Sequence, residues 1–102
     1  MKNIVLIYNS NSSKIKRKKL LSKIVKKLEK ENFSIYTIPF LEFLEKDHFN
    51  FIKESQALFI VGGDGTLNGV VNKLLKNKIE FPPIVIYPGG TSNDFARIGI
   101  ID

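Results

Sequence analysis

Cysteine is absent from the 102 residues, so the chain has no disulfide framework and no thiolate metal site. Histidine occurs once, as His48 between Asp47 and Phe49. With no second histidine and no cysteine to share a metal, it reads as a surface or interface residue rather than a ligand or base. No apolar run approaches the ~20 residues that cross a bilayer, and the first residues lack a signal-peptide pattern. The expected location is the cytoplasm. Internal repeats, low-complexity segments and linkers are also missing, so one small domain is expected. A domain of this length buries roughly two-thirds of its unfolded surface, and with 43% apolar residues a genuine core is within reach.

Charge is plentiful but uneven. The net charge is +6, and nine of the sixteen basic residues fall between Lys14 and Lys30: Lys14, Lys16, Arg17, Lys18, Lys19, Lys23, Lys26, Lys27 and Lys30. The same stretch carries Leu20, Leu21, Ile24, Val25 and Leu28 at helical spacing. It reads first as an amphipathic surface helix with a solvated lysine face. A second reading is a surface that attracts anionic lipid headgroups, giving peripheral contact with the inner face of a membrane, at ~1 kcal/mol per lysine. Nucleic acid is not expected as a partner, because no aromatic residue is interleaved with the lysines to stack on bases.

Along the chain, strands and helices alternate. Residues 3–8 read as a first strand, apolar from Ile4 onward, as expected for a sheet covered on both faces. Ser12 or Ser13 can cap the basic helix, which is expected to run to about Glu31. A second strand spans 33–38 and stops at Pro39. Residues 40–53 hold a short helix or two, irregular around Asp47 and His48. A third strand covers 57–61, and a helix follows over 66–77, with Thr66 as its N-cap and Leu67, Val70, Val71, Leu74 and Leu75 on one face. Pro82-Pro83 precedes a fourth strand at 84–87, and a helical turn is expected at 93–98. The implied fold class is α/β: three layers, with a mostly parallel sheet of about four strands in the order 2-1-3-4 and helices on both faces. Among the phenylalanines, Phe40, Phe43, Phe49 and Phe51 are expected to pack in the core and loops. Glu42 and Glu45 are expected in solvent. Tyr87 is expected either under a ligand or in a strand-end packing role.

Two glycine loops carry the chemistry. Gly62-Gly63-Asp64-Gly65-Thr66 follows the third strand, and Gly89-Gly90-Thr91-Ser92-Asn93-Asp94 follows the fourth. In an open α/β sheet, ligands bind beyond the carboxyl ends of the strands. Glycine there lets the backbone approach a phosphate, and the N–H groups opening the next helix favour its charge. Phosphoryl transfer needs such donors, charge neutralisation, and a carboxylate near the attacking hydroxyl. Gly62, Gly63 and Gly65 supply donors, Asp64 is the carboxylate, and Asn68 lies in the first helical turn. Gly90 and Thr91 offer a second set of backbone and hydroxyl contacts. The chain has no Walker lysine pattern, no protein-kinase glycine loop and no dinucleotide Gly-x-Gly-x-x-Gly spacing. Gly-Gly-Asp-Gly alone could be a tight turn. That reading weakens because Thr66-Leu67-Asn68 follows directly and Pro88 to Arg97 appears one βα unit later.

This pairing resembles the catalytic domain of the diacylglycerol kinase family and its sphingosine-kinase and bacterial lipid-kinase relatives. Gly62 to Asn68, with Val70-Val71-Asn72 behind them, and Pro88 to Arg97 carry the resemblance. Tyr8-Asn9 with the serine-rich loop after them adds to it. Gly62 to Thr66 alone is shared with NAD kinases and phosphofructokinases, whereas Asn93 to Arg97 is specific to the lipid-kinase branch.

The resemblance implies that Asn9, Ser10, Asn11, Ser12 and Ser13, together with Gly62, Gly63, Asp64, Gly65, Thr66, Leu67 and Asn68, line an ATP site. It implies that Thr37 reaches the nucleotide from one side and that Gly90 and Thr91 do so from the second loop. Asp64 would be the catalytic carboxylate, and Asp94 and Arg97 would fix the loop. Mg²⁺ would bridge phosphate oxygens, with no metal ligand assigned to a side chain. The function implied is an ATP-dependent kinase of phospholipid metabolism that phosphorylates a lipid alcohol such as diacylglycerol. The alternatives are an NAD-kinase-like enzyme and a non-catalytic nucleotide-binding fragment or pseudokinase.

The departures are Ser10 and Ser13 in place of the family's Pro and Gly, Gly89 for the commoner Leu, and Gly69 for its Glu. Gly69 removes a carboxylate near the phosphates and costs ~1 kcal/mol inside a helix. Family members are several times longer and carry a second, mostly β domain with the lipid pocket. Residues 1–102 are therefore expected to be the nucleotide-binding unit alone, as a piece of a longer protein or a split gene product, and poorly active in isolation. The apolar tail Phe95 to Ile101 is expected to feed further structure or to promote self-association.

Overall fold

The computed structural model describes residues 2–9, 14–88 and 99–101, with side chains for 2–9 and 19–87. Its elements follow the chain as β1 (Lys2–Tyr8), α1 (Lys14–Lys30), β2 (Phe33–Pro39), α2 (Phe40–Glu45), α3 (Phe49–Glu54), β3 (Ala57–Gly62), α4 (Asp64–Lys76), β4 (Ile84–Pro88) and β5 (Gly99–Ile101). The sheet order is β2-β1-β3-β4-β5. The first four strands are mutually parallel, in the expected order 2-1-3-4. β5 is an addition the sequence did not announce. It lies antiparallel against β4, pairing Val85 with Ile100, so three residues of the apolar tail close the sheet edge. The turn expected at 93–98 and the caps expected at Ser12 or Ser13 lie outside the described residues.

Alternation along the strands sorts the core into two layers. Val5, Ile7, Ile38, Leu58, Ile60 and Ile84 face α2, α3 and α4, meeting Phe43, Ile52, Val70 and Leu74. Ile4, Leu6, Phe59 and Val61 face Ile24 and Leu28 of α1. β1, β3 and β4 therefore read as largely continuous apolar runs, because both of their faces are covered, whereas the edge strand β2 keeps Ser34, Tyr36 and Thr37 exposed. α1 shows its lysines to solvent at 19, 26, 27 and 30, as its amphipathic pattern requires.

Both α1 and α4 end on a residue in the left-handed region, Asn32 (φ 67°) after α1 and Lys78 (φ 56°) after α4. At the end of α4, the Ile79 N–H donates to Leu74 O and the Lys78 N–H donates to Leu75 O, satisfying two terminal carbonyls.

Three expectations need correction. α4 begins at Asp64 with Gly63 as its N-cap, because the Gly63 carbonyl already accepts the amides of Thr66 and Leu67. Thr66 therefore sits inside the first turn and is buried. Leu75 is not on the core face; it is 60% exposed, a rotation of about 100° beyond Leu74. His48 is buried, not a surface residue, wedged at the start of α3 with its Nε2 3.5 Å from the Glu42 carboxylate and its ring tilted against Tyr36. Among the described residues that Nε2 has no hydrogen-bond partner. Of the phenylalanines, Phe43 is core, Phe40 and Phe49 pack against it, and Phe51 is exposed and stacks on Tyr36.

Candidate functional site at the β1–β3 switch point

The chain leaves β1 for α1 on one face of the sheet and leaves β3 for α4 on the other. β1 and β3 are neighbours, so their carboxyl ends form a topological switch point, the crevice where open α/β sheets place ligands. Gly62 and Gly63 lie at the end of β3, and Asn9 follows the end of β1. The Asn9 N–H donates to Val61 O at 3.0 Å, which carries the β1–β3 pairing one residue past Tyr8. The Asn9 side chain then donates from Nδ2 to Thr66 Oγ1 at 3.0 Å. One amide thus ties the first loop to the glycine loop across the crevice.

The glycines play different parts. A Cβ on Gly62 would come within 2.7 Å of Thr66 Oγ1 and 2.9 Å of Thr66 Cβ, so the loop closes only without a side chain there. Among the described residues, a Cβ at Gly63 or Gly65 would meet nothing within 4 Å. The described residues leave their backbone uncovered, an arrangement that lets a ligand approach closely. By helix geometry the amides of Asp64 and Gly65 have no intrahelical acceptor, and the 13-residue α4 directs its positive dipole end at the same opening. Asp64 is exposed at this end, and Asn68 is exposed one turn further on. Leu67 turns its side chain into the core.

The sequence-derived residues are only partly brought together. Asn9, Gly62, Gly63, Asp64, Gly65 and Thr66 converge. Thr37 does not join them; it sits near the end of the edge strand β2, paired with Leu6 and separated from β3 by the whole of β1. It lines an open groove of 370 Å³ with Tyr8 and the flank of α1. Ser10, Asn11, Ser12, Ser13, Gly90, Thr91, Asp94 and Arg97 lie outside the described residues. Tyr87 stacks on Phe59 at 5.7 Å between ring centres, and burial pushes its phenol above the ordinary value of 10.0. Its role is strand-end packing.

Gly69 is more than a lost carboxylate. A Cβ there would lie 2.5 Å from Cζ of Phe40, so the first residue of α2 fills the place a side chain would take. One turn later, Lys73 donates its ammonium to the carbonyls of Phe43 and Lys46 and sits over the rings of Phe43 and Phe49. Thr66, Gly69 and Lys73 therefore form one stripe of α4, holding the glycine loop, the start of α2 and the end of α2 in turn. The glycine inside a helix was the only visible sequence signal for this stripe. The partners Phe40 and Lys73 carry no local signature.

Among the described residues, no cluster of three or more His, Cys, Asp or Glu side chains is placed to hold a metal, and no helix is long and apolar enough to cross a membrane. A parallel sheet with a glycine-rich loop opening a helix at its switch point defines an α/β domain of the class that places ligands at the carboxyl ends of its strands. Residues 3–100 match the diacylglycerol kinase catalytic domain, and the chain belongs to that family. Over 48 residues it is 48% identical to a protein of Staphylococcus aureus (strain bovine RF122 / ET3-1) named "putative lipid kinase", and 46% identical to its namesake in strain N315. Each match takes in 47% of this chain and 15% of the relative. The solved structure of "a putative diacylglycerol kinase from Bacillus anthracis str. Sterne" superimposes with a TM-score of 0.59 at 27% identity, over 93% of this chain and 34% of that one. The chain thus spans a minor part of the proteins it matches.

Proposed function

We propose that residues 1–102 form the nucleotide-binding part of an ATP-dependent lipid kinase that phosphorylates an alcohol such as diacylglycerol. The observation that carries the reading is the Asn9–Thr66 hydrogen bond, which holds the two loops of the switch-point crevice together beside the open backbone of Gly63 and Gly65. The residues fit a polyphosphate. Its oxygens would take the amides of Asp64 and Gly65, where any side chain on Gly63 or Gly65 would intrude. Ser10 to Ser13, Gly90 and Thr91 belong to the same proposal through the family pattern.

A bound nucleoside triphosphate would supply the transferable phosphoryl group, and Mg²⁺ would supply charge neutralisation. The rest falls to the chain. Asp64, exposed at the helix start, orients the acceptor hydroxyl and takes up its proton on a carboxylate oxygen. α4, pinned by Phe40 and Lys73, keeps that carboxylate in register with the amides. The family resemblance assigns the lipid pocket and the remainder of the machinery to the parts of the relatives that this chain does not span. The isolated chain is therefore expected to bind nucleotide and to turn over little lipid. The lysines of α1 give this unit a surface for peripheral contact with anionic headgroups on the cytoplasmic side of a membrane.

Thermal unfolding with increasing Mg-ATP tests the reading. A ligand at 100 times its Kd stabilises the folded state by about 2.7 kcal/mol. The expected result is a shift that Gly63→Val abolishes without altering the apo melt, because the added side chain meets only the crevice. An unshifted melt at millimolar Mg-ATP would show that these residues hold no nucleotide by themselves.

A further inference from the structure

His48 closes the turn between α2 and α3 from a buried position, 7% exposed. Its carbonyl accepts the Ile52 N–H at the start of α3, and its ring lies at 50° to Tyr36 of β2 with 6.0 Å between centres. Nε2 faces the Glu42 carboxylate of α2 at 3.5 Å, and among the described residues it has no hydrogen-bond partner. A ring nitrogen withheld from water and left unpaired is costly. Both nitrogens of an imidazolium are donors, so a proton on the ring gives Nε2 a hydrogen to direct at Glu42 and makes the pairing charge-assisted. The other charged groups of the surrounding elements are engaged or turned to solvent. The Asp47 carboxylate accepts the Phe49 N–H, and Lys73 of α4 donates to the carbonyls of Phe43 and Lys46. Glu45, Lys46, Lys53 and Glu54 are exposed, as is the Tyr36 side chain. α2 and α3 have six residues each, too few to persist alone, and neither has a side-chain hydrogen bond at its N-cap. Phe43 and Ile52 anchor them separately to the core. Glu42 and His48 join one to the other.

We propose that His48 and Glu42 form a proton-operated latch between α2 and α3. With the ring protonated, Nε2 donates to the Glu42 carboxylate and the two helices are locked together. With the ring neutral, the charge-assisted bond is lost and the junction is held by packing alone. Histidine changes charge between about pH 5 and 8, so the latch is closed at the acid end of that range and released as pH rises through it. Its reach is set by α2. Phe40, the first residue of α2, fills the space beside Gly69 of α4, and the carbonyl of Phe43 holds Lys73. The proton on His48 therefore governs how firmly α2 is seated against α4, the helix that begins at the glycine loop. The latch is independent of which ligand the crevice takes.

Amide hydrogen exchange of the full chain at about pH 5.5 and about pH 7.5, corrected for intrinsic exchange rates, tests the latch. The amides of Ile52 and Ser55, bonded to the carbonyls of His48 and Ile52, should open about tenfold less often at the lower pH. Glu42→Gln is a neutral isostere at a half-exposed position and should abolish that difference, because the imidazolium then has no carboxylate to meet. The ring resonances of the chain's single histidine report its proton directly, and Glu42→Gln should move their titration midpoint to lower pH. The same pH dependence of α3 exchange in wild type and Glu42→Gln, or a ring titration that the substitution leaves unmoved, overturns the latch.

Discussion

Phe40 stands in the space a side chain at Gly69 would need, with Cζ 2.5 Å and Cε1 2.9 Å from the position of a Cβ there. An alanine at 69 would gain ~1 kcal/mol of helix propensity. Overpacking against a ring held between α2 and α4 costs about 1–3 kcal/mol, so the net effect should be destabilising. Gly69→Glu, which restores the residue usual in the family, should be worse, not better. Phe40→Ala added to Gly69→Ala should recover stability relative to the sum of the single changes. Urea denaturation of the four proteins measures this coupling, and additive losses would show that the ring and the glycine act independently.

Gly62 and Gly63 are adjacent but should respond in opposite ways to the same change. Gly62→Ala drives a methyl into Thr66 and should destabilise by about 1–3 kcal/mol. Gly63→Ala meets none of the described residues, on extended backbone (φ −91°, ψ −168°), and should leave stability within about 0.5 kcal/mol of wild type. Its cost should appear only in nucleotide affinity. Chemical denaturation separates the two, and equal losses at both positions would contradict the geometry.

The Asn9–Thr66 bond joins two loops that are 57 residues apart in sequence. Its coupling should be about 0.5–1.5 kcal/mol in a double-mutant cycle of Asn9→Ala and Thr66→Val. Nucleotide affinity should fall more in either single variant than the stability loss explains, because the crevice is no longer held shut at one side. A zero coupling energy would mean that the two loops are positioned without this bond.

Lys73 supplies the end of α2 with donors that its own backbone cannot provide. Lys73→Met keeps the aliphatic stem over Phe43 and Phe49 but leaves the carbonyls of Phe43 and Lys46 without the ammonium. The expected loss is about 1–3 kcal/mol. Hydrogen exchange should quicken first at the last turn of α2, with β1 and β3 unaffected. Uniform acceleration across the sheet would argue against a local strut.

Tyr87 makes the chain sensitive to alkali. Burial raises its phenol above 10.0, so the folded state holds the proton more firmly than the unfolded chain does. Its contribution is fully present below pH 10 and declines as pH rises through the folded-state value. Tyr87→Phe should flatten this part of the stability profile. Spectroscopic titration of wild type against Tyr87→Phe isolates this phenol, and a Tyr87 ionisation at or below 10.0 would refute the assignment.

Local chemistry in the sequence determined the element types, the order 2-1-3-4 and the place of the first glycine loop at the end of β3. Apolar strand runs, lysine-faced helical spacing and glycines directly after a strand each act within a few residues, so they can be read without a partner in view. What lies between distant segments was decided by the tertiary structure. His48 is buried because α2, α3 and β2 close around it, although it lies in an irregular segment beside the exposed Asp47. Thr66 is a buried acceptor and not a cap because Asn9 reaches it from β1. Gly69 reads as a deficiency in isolation and becomes a packing requirement once Phe40 is set against it. β5 exists because β4 presents a free edge for its three residues to pair with. Thr37 is held away from the glycine loop by the full width of β1. In each case the deciding contact joins residues far apart in the chain, and single-residue patterns carry no record of which distant side chain will fill a given space.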